Sequence, residues 1–276
     1  MWTRITIEDD FDLDKIAFCG QCFRAKKFDD GMFRFITGEK VLYIKRENET
    51  EFLISCETEE WEKIWHSFFD LSRNYKSLRT GKNYSGGFVE KAVDFGRGLR
   101  ILRQDKWEIL ITFIISQRKS IPAIAGAVEK LCMRYGSKVE TEYEKLYSFP
   151  DCKVLEGAVK EDLALCGMGY RTDYIMDAVR LVANGEIDLE KLSDCNDEEL
   201  FESLLKIKGV GKKVANCVLL FGYNRTARAP VDVWISRAIE EEFNGVNPFS
   251  EYGEDAGIIQ QYIFFYEKEM GGTARY

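Results

Sequence analysis

The chain has 276 residues, enough for one large domain or two of ordinary size. Its hydrophobic content of 45% allows a sizeable core, and no apolar run approaches the roughly 18–20 residues needed to span a bilayer. A formal net charge of −8 argues against indiscriminate nucleic-acid binding, although a local basic face can still meet a phosphate. The polar, acidic start of the chain contains no signal-peptide core, so a cytoplasmic protein without a membrane partner is expected.

The first third of the chain has the pattern of an antiparallel sheet. Short runs of alternating or continuous apolar residues, separated by turn residues, occur at 32–36, 41–45 and 52–54. An amphipathic helix is predicted near 59–71, and it carries the only histidine, His66, which is interpreted as structural. The polar, glycine-containing stretch 72–87 is predicted to be a loop or linker.

From about residue 95 onward, apolar residues recur at helical spacing instead. Such faces begin at Trp107, Ile121 and Ile175, and Pro122 stands where the first turn of a helix tolerates proline. Helix ends are predicted at Gly136, Gly185 and Gly222. The predicted fold class is therefore α+β, with an N-terminal antiparallel β-sheet domain over 1–98 and an all-α domain over 99–276.

The eight cysteines are expected to be reduced thiols. Cys132 and Cys166 lie in apolar helical segments, where cysteine usually acts as a small buried hydrophobe. Cys19 and Cys22 form a lone C-x2-C, but no second pair follows at zinc-ligand spacing. A metal or redox role for this pair is disfavoured, and no metal site is predicted.

The stretch KIKGVGKKVA places four lysines and two glycines within ten residues of an acidic chain. It lies between two helical patterns, which predicts a helix, a glycine hairpin over 208–211 and a second helix. Gly209 and Gly211 allow the backbone to turn tightly, and the second helix presents its N-terminus, beginning with Lys212 and Lys213, to an anion such as a phosphate. An ordinary helical hairpin with solvated lysines is the alternative from this motif alone.

A carboxylate follows the hairpin at the start of another helix. Asp232 stands in the sequence APVDV, where it is a good N-cap, and capping alone could explain it. Asp232 also lies one helix and one return loop beyond Lys213. That separation can bring the two side chains to a common cleft at the mouth of the hairpin.

The motifs GVGKKVANC and APVDV resemble the helix-hairpin-helix, Gly-Pro-Asp superfamily of DNA base-excision glycosylases. The further motifs CGQCFR, GLRILRQD and GMGYR, at 19–24, 98–105 and 167–171, look like 8-oxoguanine DNA glycosylase, in the same order and over nearly the whole chain. The resemblance implies a bacterial member of that family whose all-α domain is the glycosylase domain. It also implies double-stranded DNA containing 8-oxoguanine as the partner of a monomeric enzyme, with no cofactor.

The resemblance assigns catalytic roles to two of these residues. Lys213 matches the lysine that attacks C1′ of the damaged nucleoside and forms a Schiff base, after which β-elimination cuts the strand. A helix N-terminus beside the Lys212 cation favours the neutral amine that this step needs, and Lys212 itself is an alternative nucleophile by proximity. Asp232 matches the acid that stabilises the cationic sugar and shuttles protons.

Other positions match residues that bind the flipped base and the opposite strand. The matching positions for the lesion base are Gly20, Cys217, Gln260 and Phe264, and those for DNA and the opposite base are Arg118, Tyr170, Arg171, Gly209, Gly211 and Lys212. Gly20 matches the glycine whose carbonyl reads the N7–H of 8-oxoguanine. Ala123 stands where eukaryotic members have a cytosine-reading arginine, so weaker opposite-base discrimination is expected.

Three other functions compete with this interpretation. A non-catalytic helix-hairpin-helix module would use the same hairpin only to hold DNA. A glycosylase of the alkyladenine type would have the fold but would lack a lysine at position 213, and a plain α+β protein would have no DNA role. The endonuclease III branch carries a four-cysteine iron–sulfur loop near its C-terminus, whereas the last cysteine here is Cys217.

Overall fold

The computed structural model describes residues 2–81 and 87–271. Its N-terminal region contains a five-stranded antiparallel sheet in the order β1-β5-β4-β3-β2. The strands are β1 Thr3–Thr6, β2 Lys26–Lys27, β3 Phe33–Thr37, β4 Lys40–Arg46 and β5 Glu51–Ile54. The three strands predicted from apolar runs are confirmed as β3, β4 and β5. Strand β1 was not predicted, because Ile5 is the one apolar residue in its sequence TRIT.

Helix α1, Leu13–Phe18, follows β1, and a continuous helical segment follows β5. That segment comprises α2 Thr58–Glu60, a π-helical part Trp61–Trp65 and α3 His66–Phe68, so the helix predicted near 59–71 is confirmed. Helices α4 Tyr75–Gly81 and α5 Phe88–Phe95 come next.

The loop predicted over 72–87 is wrong where α4 lies, and its residues 82–86 fall outside the described part of the chain. Two side chains cap helix α4 in its polar sequence: Asn74 Oδ1 accepts from the Ser77 backbone N–H at 2.7 Å, and a distant carboxylate caps the first two residues. Asp9 accepts hydrogen bonds from the backbone N–H groups of Tyr75 and Lys76, both at 2.7 Å.

The rest of the chain is mainly helical, and the α+β fold class is confirmed. Its first elements are α6 Lys106–Ser116, α7 Ile121–Tyr135, the hairpin strands β6 Lys138–Glu140 and β7 Lys145–Tyr147, α8 Cys152–Glu156, α9 Lys160–Leu165, a 3-10 turn Gly169–Arg171 and α10 Thr172–Ala183. The remaining elements are a 3-10 turn Lys191–Asp194, α11 Asp197–Leu205, α12 Lys212–Gly222, α13 Val233–Glu242, a 3-10 segment Phe249–Asp255 and α14 Ala256–Met270. The short β6–β7 hairpin within the helical region was not predicted.

The chain divides into two compact units, each with its own core. The first comprises residues 1–34, 42–103 and 224–276, and the second comprises residues 35–41 and 104–223. In the first unit, Trp65, Phe52 and Phe69 are fully buried; in the second, the Phe113 and Phe221 rings stack with centroids 5.5 Å apart. The predicted boundary at residue 98 stays a prediction.

A buried arginine organises the first unit. Arg100 is fully buried, and all five of its N–H groups are donated. Nη1 donates to Asp9 Oδ2 at 2.8 Å, and the other acceptors are the backbone carbonyls of Phe69, Asp10, Asp70 and Arg73. The guanidinium carbon also lies 4.1 Å from the centre of the Tyr75 ring. Arg100 therefore ties the start of the chain to the turn before α4.

Asp9, the charged partner of Arg100, makes stability depend on pH. Burial alone would raise the pKa of this carboxyl, but hydrogen bonds from Arg100, Lys76 and Tyr75 outweigh burial and lower the pKa below its ordinary value of 3.8. The ionised carboxylate therefore stabilises the fold at pH values above 3.8. This contribution to the free energy of unfolding is lost as the pH falls through the lower pKa of the folded state.

We expect the free energy of unfolding to fall less steeply with decreasing pH in Asp9→Asn than in the wild type. Urea titrations over a series of pH values below 5 measure both slopes, and equal slopes would contradict the expectation.

Candidate functional site

The glycine hairpin between α11 and α12 is present as predicted. Gly209 has φ +80°, and a Cβ added there would lie 2.2 Å from Cδ2 of Tyr174, so only glycine fits. The Lys208 backbone N–H donates to Asp177 Oδ2 at 2.8 Å, which attaches the hairpin to α10. Gly211 has φ −96°, and an added Cβ would meet open space, so this position does not require glycine.

The basic stretch after α11 approaches two acids at Lys208, whose charge interacts with Asp173 and whose backbone N–H donates to Asp177. Within residues 2–81 and 87–271, no carboxylate forms an ion pair with the lysines of this stretch, which are Lys206, Lys208, Lys212 and Lys213. Lys212 and Lys213 occupy the first turn of α12, where the backbone N–H groups lack intrahelical partners. The arrangement can therefore bind an anion such as a DNA phosphate.

Lys213 is half-buried against an aromatic face. Its Nζ lies 5.0 Å from the centre of the Phe113 ring, and Phe113 is itself fixed by stacking on Phe221. Cys217 follows one turn later on the same face of α12 and is buried. The second unit thus holds the lysine side chain beside an apolar wall, an environment that suits a nucleophilic amine.

Tyr170 projects into solvent next to the hairpin, and Arg171 lies buried beside its ring. Tyr170 is 49% exposed, whereas Arg171 is buried with its guanidinium carbon 4.4 Å from the centre of the Tyr170 ring. The Tyr170 ring also meets Tyr174 edge to face at 5.7 Å. The Tyr174 ring also lies directly against Gly209. The Tyr174 side chain therefore supports both the exposed Tyr170 ring and the hairpin.

The turn between α6 and α7 adds further positive charge. Arg118 is exposed and has φ +52°, a left-handed conformation that non-glycine residues adopt at a cost of about 1 kcal/mol. Burial, and then the charges of Arg171 and Lys130, lower the pKa of Lys119. Lys119 is therefore repelled by the charges of Arg171 and Lys130, and a bound phosphate would relieve that repulsion.

The predicted lesion-base residues of the first unit lie on α14 and at the turn after α1. Gln260 is buried, and its Oε1 has no hydrogen-bond partner within the part of the chain that the structure describes. Phe264 follows one turn later and is half-buried. Gly20 has φ +83°, so its turn favours glycine. A ligand that donates a hydrogen bond would satisfy this buried acceptor.

Asp232 caps α13, as the sequence predicted. Its Oδ1 accepts hydrogen bonds from the backbone N–H groups of Trp234 and Ile235, both at 3.0 Å. This contact fixes one carboxylate oxygen at the positive end of the helix. Lys213 and Asp232 belong to different units, and their pairing in one cleft stays a prediction.

The two cysteines of the C-x2-C pair, Cys19 and Cys22, are both buried. Cys19 is fully buried, and burial raises the pKa of its thiol, so the reactive thiolate is disfavoured. In residues 2–81 and 87–271, no group of three or more His, Cys, Asp or Glu side chains could hold a metal ion. Nor does any helix of those residues combine the length and apolarity that crossing a membrane requires.

Sequence reasoning missed three residues that shape the candidate site. They are Phe113, Lys119 and Tyr174. Lys119 had a signal, since it stands beside Arg118 in an otherwise acidic chain. The two aromatic residues fit ordinary helix patterns, so their contacts appear only in three dimensions.

The chain is similar to known DNA glycosylases in sequence. Residues 4–110 match the family described as 8-oxoguanine DNA glycosylase, N-terminal domain. A probable N-glycosylase/DNA lyase of Methanothermobacter thermautotrophicus is 32% identical over 242 residues, which cover 76% of this chain and 75% of that protein.

Two solved structures are similar over almost their whole length. One, described as MBOgg1 in complex with a low-affinity DNA ligand, has a TM-score of 0.93 and 34% identity, with 98% of this chain and 96% of that chain covered. The other is the Clostridium acetobutylicum 8-oxoguanine glycosylase/lyase in complex with double-stranded DNA containing cytosine opposite 8-oxoguanine. It has a TM-score of 0.90 and 32% identity, with 98% of both chains covered.

Proposed function

Because the chain belongs to the 8-oxoguanine DNA glycosylase family, we propose that it removes 8-oxoguanine from double-stranded DNA and then cleaves the strand. The enzyme is a DNA N-glycosylase with lyase activity. To reach the damaged nucleotide, it must turn that nucleotide out of the base stack. The exposed Tyr170 ring is suited to enter the duplex beside the extruded base, and Arg118 is suited to fill the gap that the base leaves.

The proposed chemistry begins at Lys213. Its neutral amine attacks C1′ of the damaged nucleoside, the N-glycosidic bond breaks, and the electron pair of that bond leaves with the base, which takes up a proton. Opening of the sugar ring then gives an imine between Lys213 and C1′. Loss of a 2′ proton breaks the C3′–O bond, so the strand is cut on the 3′ side and the phosphate leaves.

The environment of Lys213 is the observation on which this mechanism depends. The side chain is half-buried at the first turn of α12, lies on the Phe113 ring, and has no ion-pair partner within the described ranges. A lysine serving only as a phosphate contact would be better placed in solvent. Asp232, held by the N-terminus of α13, supplies the negative charge proposed to stabilise the cationic sugar.

Reading of the lesion is proposed to depend on two polar groups of the first unit. The unpaired Oε1 of Gln260 suits the N1–H on the Watson–Crick edge of the base. The Gly20 carbonyl suits the N7–H that 8-oxoguanine has and guanine lacks. Phe264, half-buried on α14, is proposed to pack against one face of the ring, and the resemblance assigns a base-contacting role to Cys217 in the second unit.

Release of the free base tests this function. A duplex with one 8-oxoguanine opposite cytosine is incubated with excess protein, and the released base and the cut strand are measured separately. The same duplex with guanine is the control, and we expect release from the damaged duplex only. Tight binding without base release would favour the non-catalytic DNA-binding module.

Weak preference for the opposite base is a further expectation of the proposed function. Ala123 is exposed on the first turn of α7 and has no polar group with which to contact a base edge. One good bidentate contact is worth about 1–3 kcal/mol, so its absence should reduce discrimination to within about tenfold between cytosine and the other bases. Single-turnover excision opposite C, A, G and T measures this ratio. A strict preference for cytosine would contradict this expectation.

We propose a cellular compartment and a source for the enzyme. Eight free cysteines support a reducing compartment such as a bacterial cytosol, and the similar Clostridium acetobutylicum structure supports a bacterial source. We propose that the protein acts as a monomer, as its resemblance to this glycosylase family implies.

A further inference from the structure

The turn that carries Gly20 is fixed on its C-terminal side by a buried glutamine. Gln21 is fully buried, and its Nε2 donates to the Arg100 carbonyl at 2.7 Å and to Cys19 Sγ at 3.0 Å. Its Oε1 accepts from the Leu102 backbone N–H at 2.8 Å. These bonds attach the residue after Gly20 to the extended segment around Arg100.

A second buried glutamine fixes the other side of the same turn. Gln261 of α14 is 3% exposed, and its Nε2 donates to the Cys19 carbonyl at 2.7 Å. Two turns later on the same helix, Lys268 Nζ donates to the Phe18 carbonyl at 2.9 Å. Because α1 ends at Phe18, these donors satisfy carbonyls that have no partner inside the helix.

Helix α14 therefore holds the Gly20 turn and also carries the proposed base readers. Gln261 is the neighbour of Gln260, and Phe264 lies one turn further along. The hydrogen bond from Gln261 joins residues 242 positions apart in the chain and lies one residue from Gly20. It links the Gly20 turn to the helix that carries the Gln260 amide, and both belong to the first unit.

We propose that Gln261 is a specificity-determining positioning residue that holds the Gly20 carbonyl where it can accept the N7–H of the damaged base. This inference rests on the proposed function. A hydrogen bond weakens steeply once its length and angle leave a narrow range. Guanine presents a lone pair at N7, so a correctly placed carbonyl accepts from the lesion and repels the normal base. A displaced carbonyl loses both effects.

The test compares two reactions of one variant. Gln261→Met keeps the size of the side chain but removes the donor, and Lys268→Met removes the neighbouring bond as a matched control. Each protein is assayed for release of 8-oxoguanine and for cleavage of a preformed abasic site, which needs the lysine nucleophile but no base reading. Rates are normalised to the fraction of protein that borohydride traps on abasic DNA, so that only folded enzyme is counted.

We expect Gln261→Met to release 8-oxoguanine about 10- to 100-fold more slowly while abasic-site cleavage stays within about twofold. Lys268→Met should change both rates by less than about threefold. Equal losses in both reactions would assign Gln261 a structural role only, and unchanged rates would remove its role altogether; either result overturns the inference. If the wild type cleaves abasic sites but does not release 8-oxoguanine, the proposed lesion itself is wrong.

Discussion

Replacing Lys213 by glutamine is expected to abolish base release and strand cleavage together. Removal of a covalent nucleophile typically costs at least about 10³-fold in rate, because no other group makes the bond to the substrate. Glutamine preserves length and polarity, so contact with Phe113 and the first turn of α12 should survive. Single-turnover assays on the 8-oxoguanine duplex measure the rates of base release and strand cleavage. Binding titrations with the same duplex measure the affinity for DNA.

Lys212→Gln is the matched control for that experiment. Lys212 is exposed at the first position of α12, and it lacks an ion-pair partner among the described residues. Its loss should weaken DNA binding. The salt dependence of the binding constant should fall by the amount expected for about one phosphate contact, and the rate of base release by the bound enzyme should change little. The opposite pattern, a slow Lys212→Gln and an active Lys213→Gln, would transfer the nucleophilic role to Lys212.

Gly209→Ala is expected to have the largest effect among hairpin substitutions. The backbone at Gly209 has φ +80°, which costs an alanine about 1–2 kcal/mol, and the added Cβ would meet the Tyr174 ring at 2.2 Å. Relieving that overlap must move Tyr174 or the hairpin, which raises the total cost to about 3 kcal/mol or more. Since Tyr174 also braces Tyr170, DNA binding should weaken by at least about tenfold.

Gly211→Ala tests whether that loss comes from the geometry at Gly209. Gly211 has an ordinary φ and open space around it, so its substitution should change stability by less than about 1 kcal/mol. Urea unfolding and DNA-binding titrations of the two variants give the comparison. Similar behaviour of both variants would contradict the close contact between Gly209 and Tyr174.

The local patterns of the sequence located the elements with repeating apolar residues. The apolar residues of FRFIT and KVLYIKR predicted β3 and β4, and consecutive buried residues in each strand show that both of its faces are covered. Helical spacing with a helix-compatible proline predicted α7. The glycines and lysines of the hairpin predicted its turn and the start of α12, since those features depend on residues a few positions apart.

Features that depend on distant residues could not be predicted in this way. Helix α4 lies in a polar stretch and is capped by Asp9, which precedes it by 66 residues. The need for glycine at position 209 is set partly by the Tyr174 ring on another helix. Gln261 resembles any buried amide until its bond to the Cys19 carbonyl is seen. Only long-range packing distinguishes such residues from ordinary helix positions.

Covalent trapping shows whether Lys213 is the residue that forms the imine with DNA. The wild-type protein is incubated with 8-oxoguanine duplex in the presence of borohydride, which reduces an imine to a stable bond, and the modified peptide is identified by mass spectrometry. We predict an adduct on Lys213 that is absent from duplex containing guanine. An adduct on another lysine, or base release without any adduct, would contradict the mechanism.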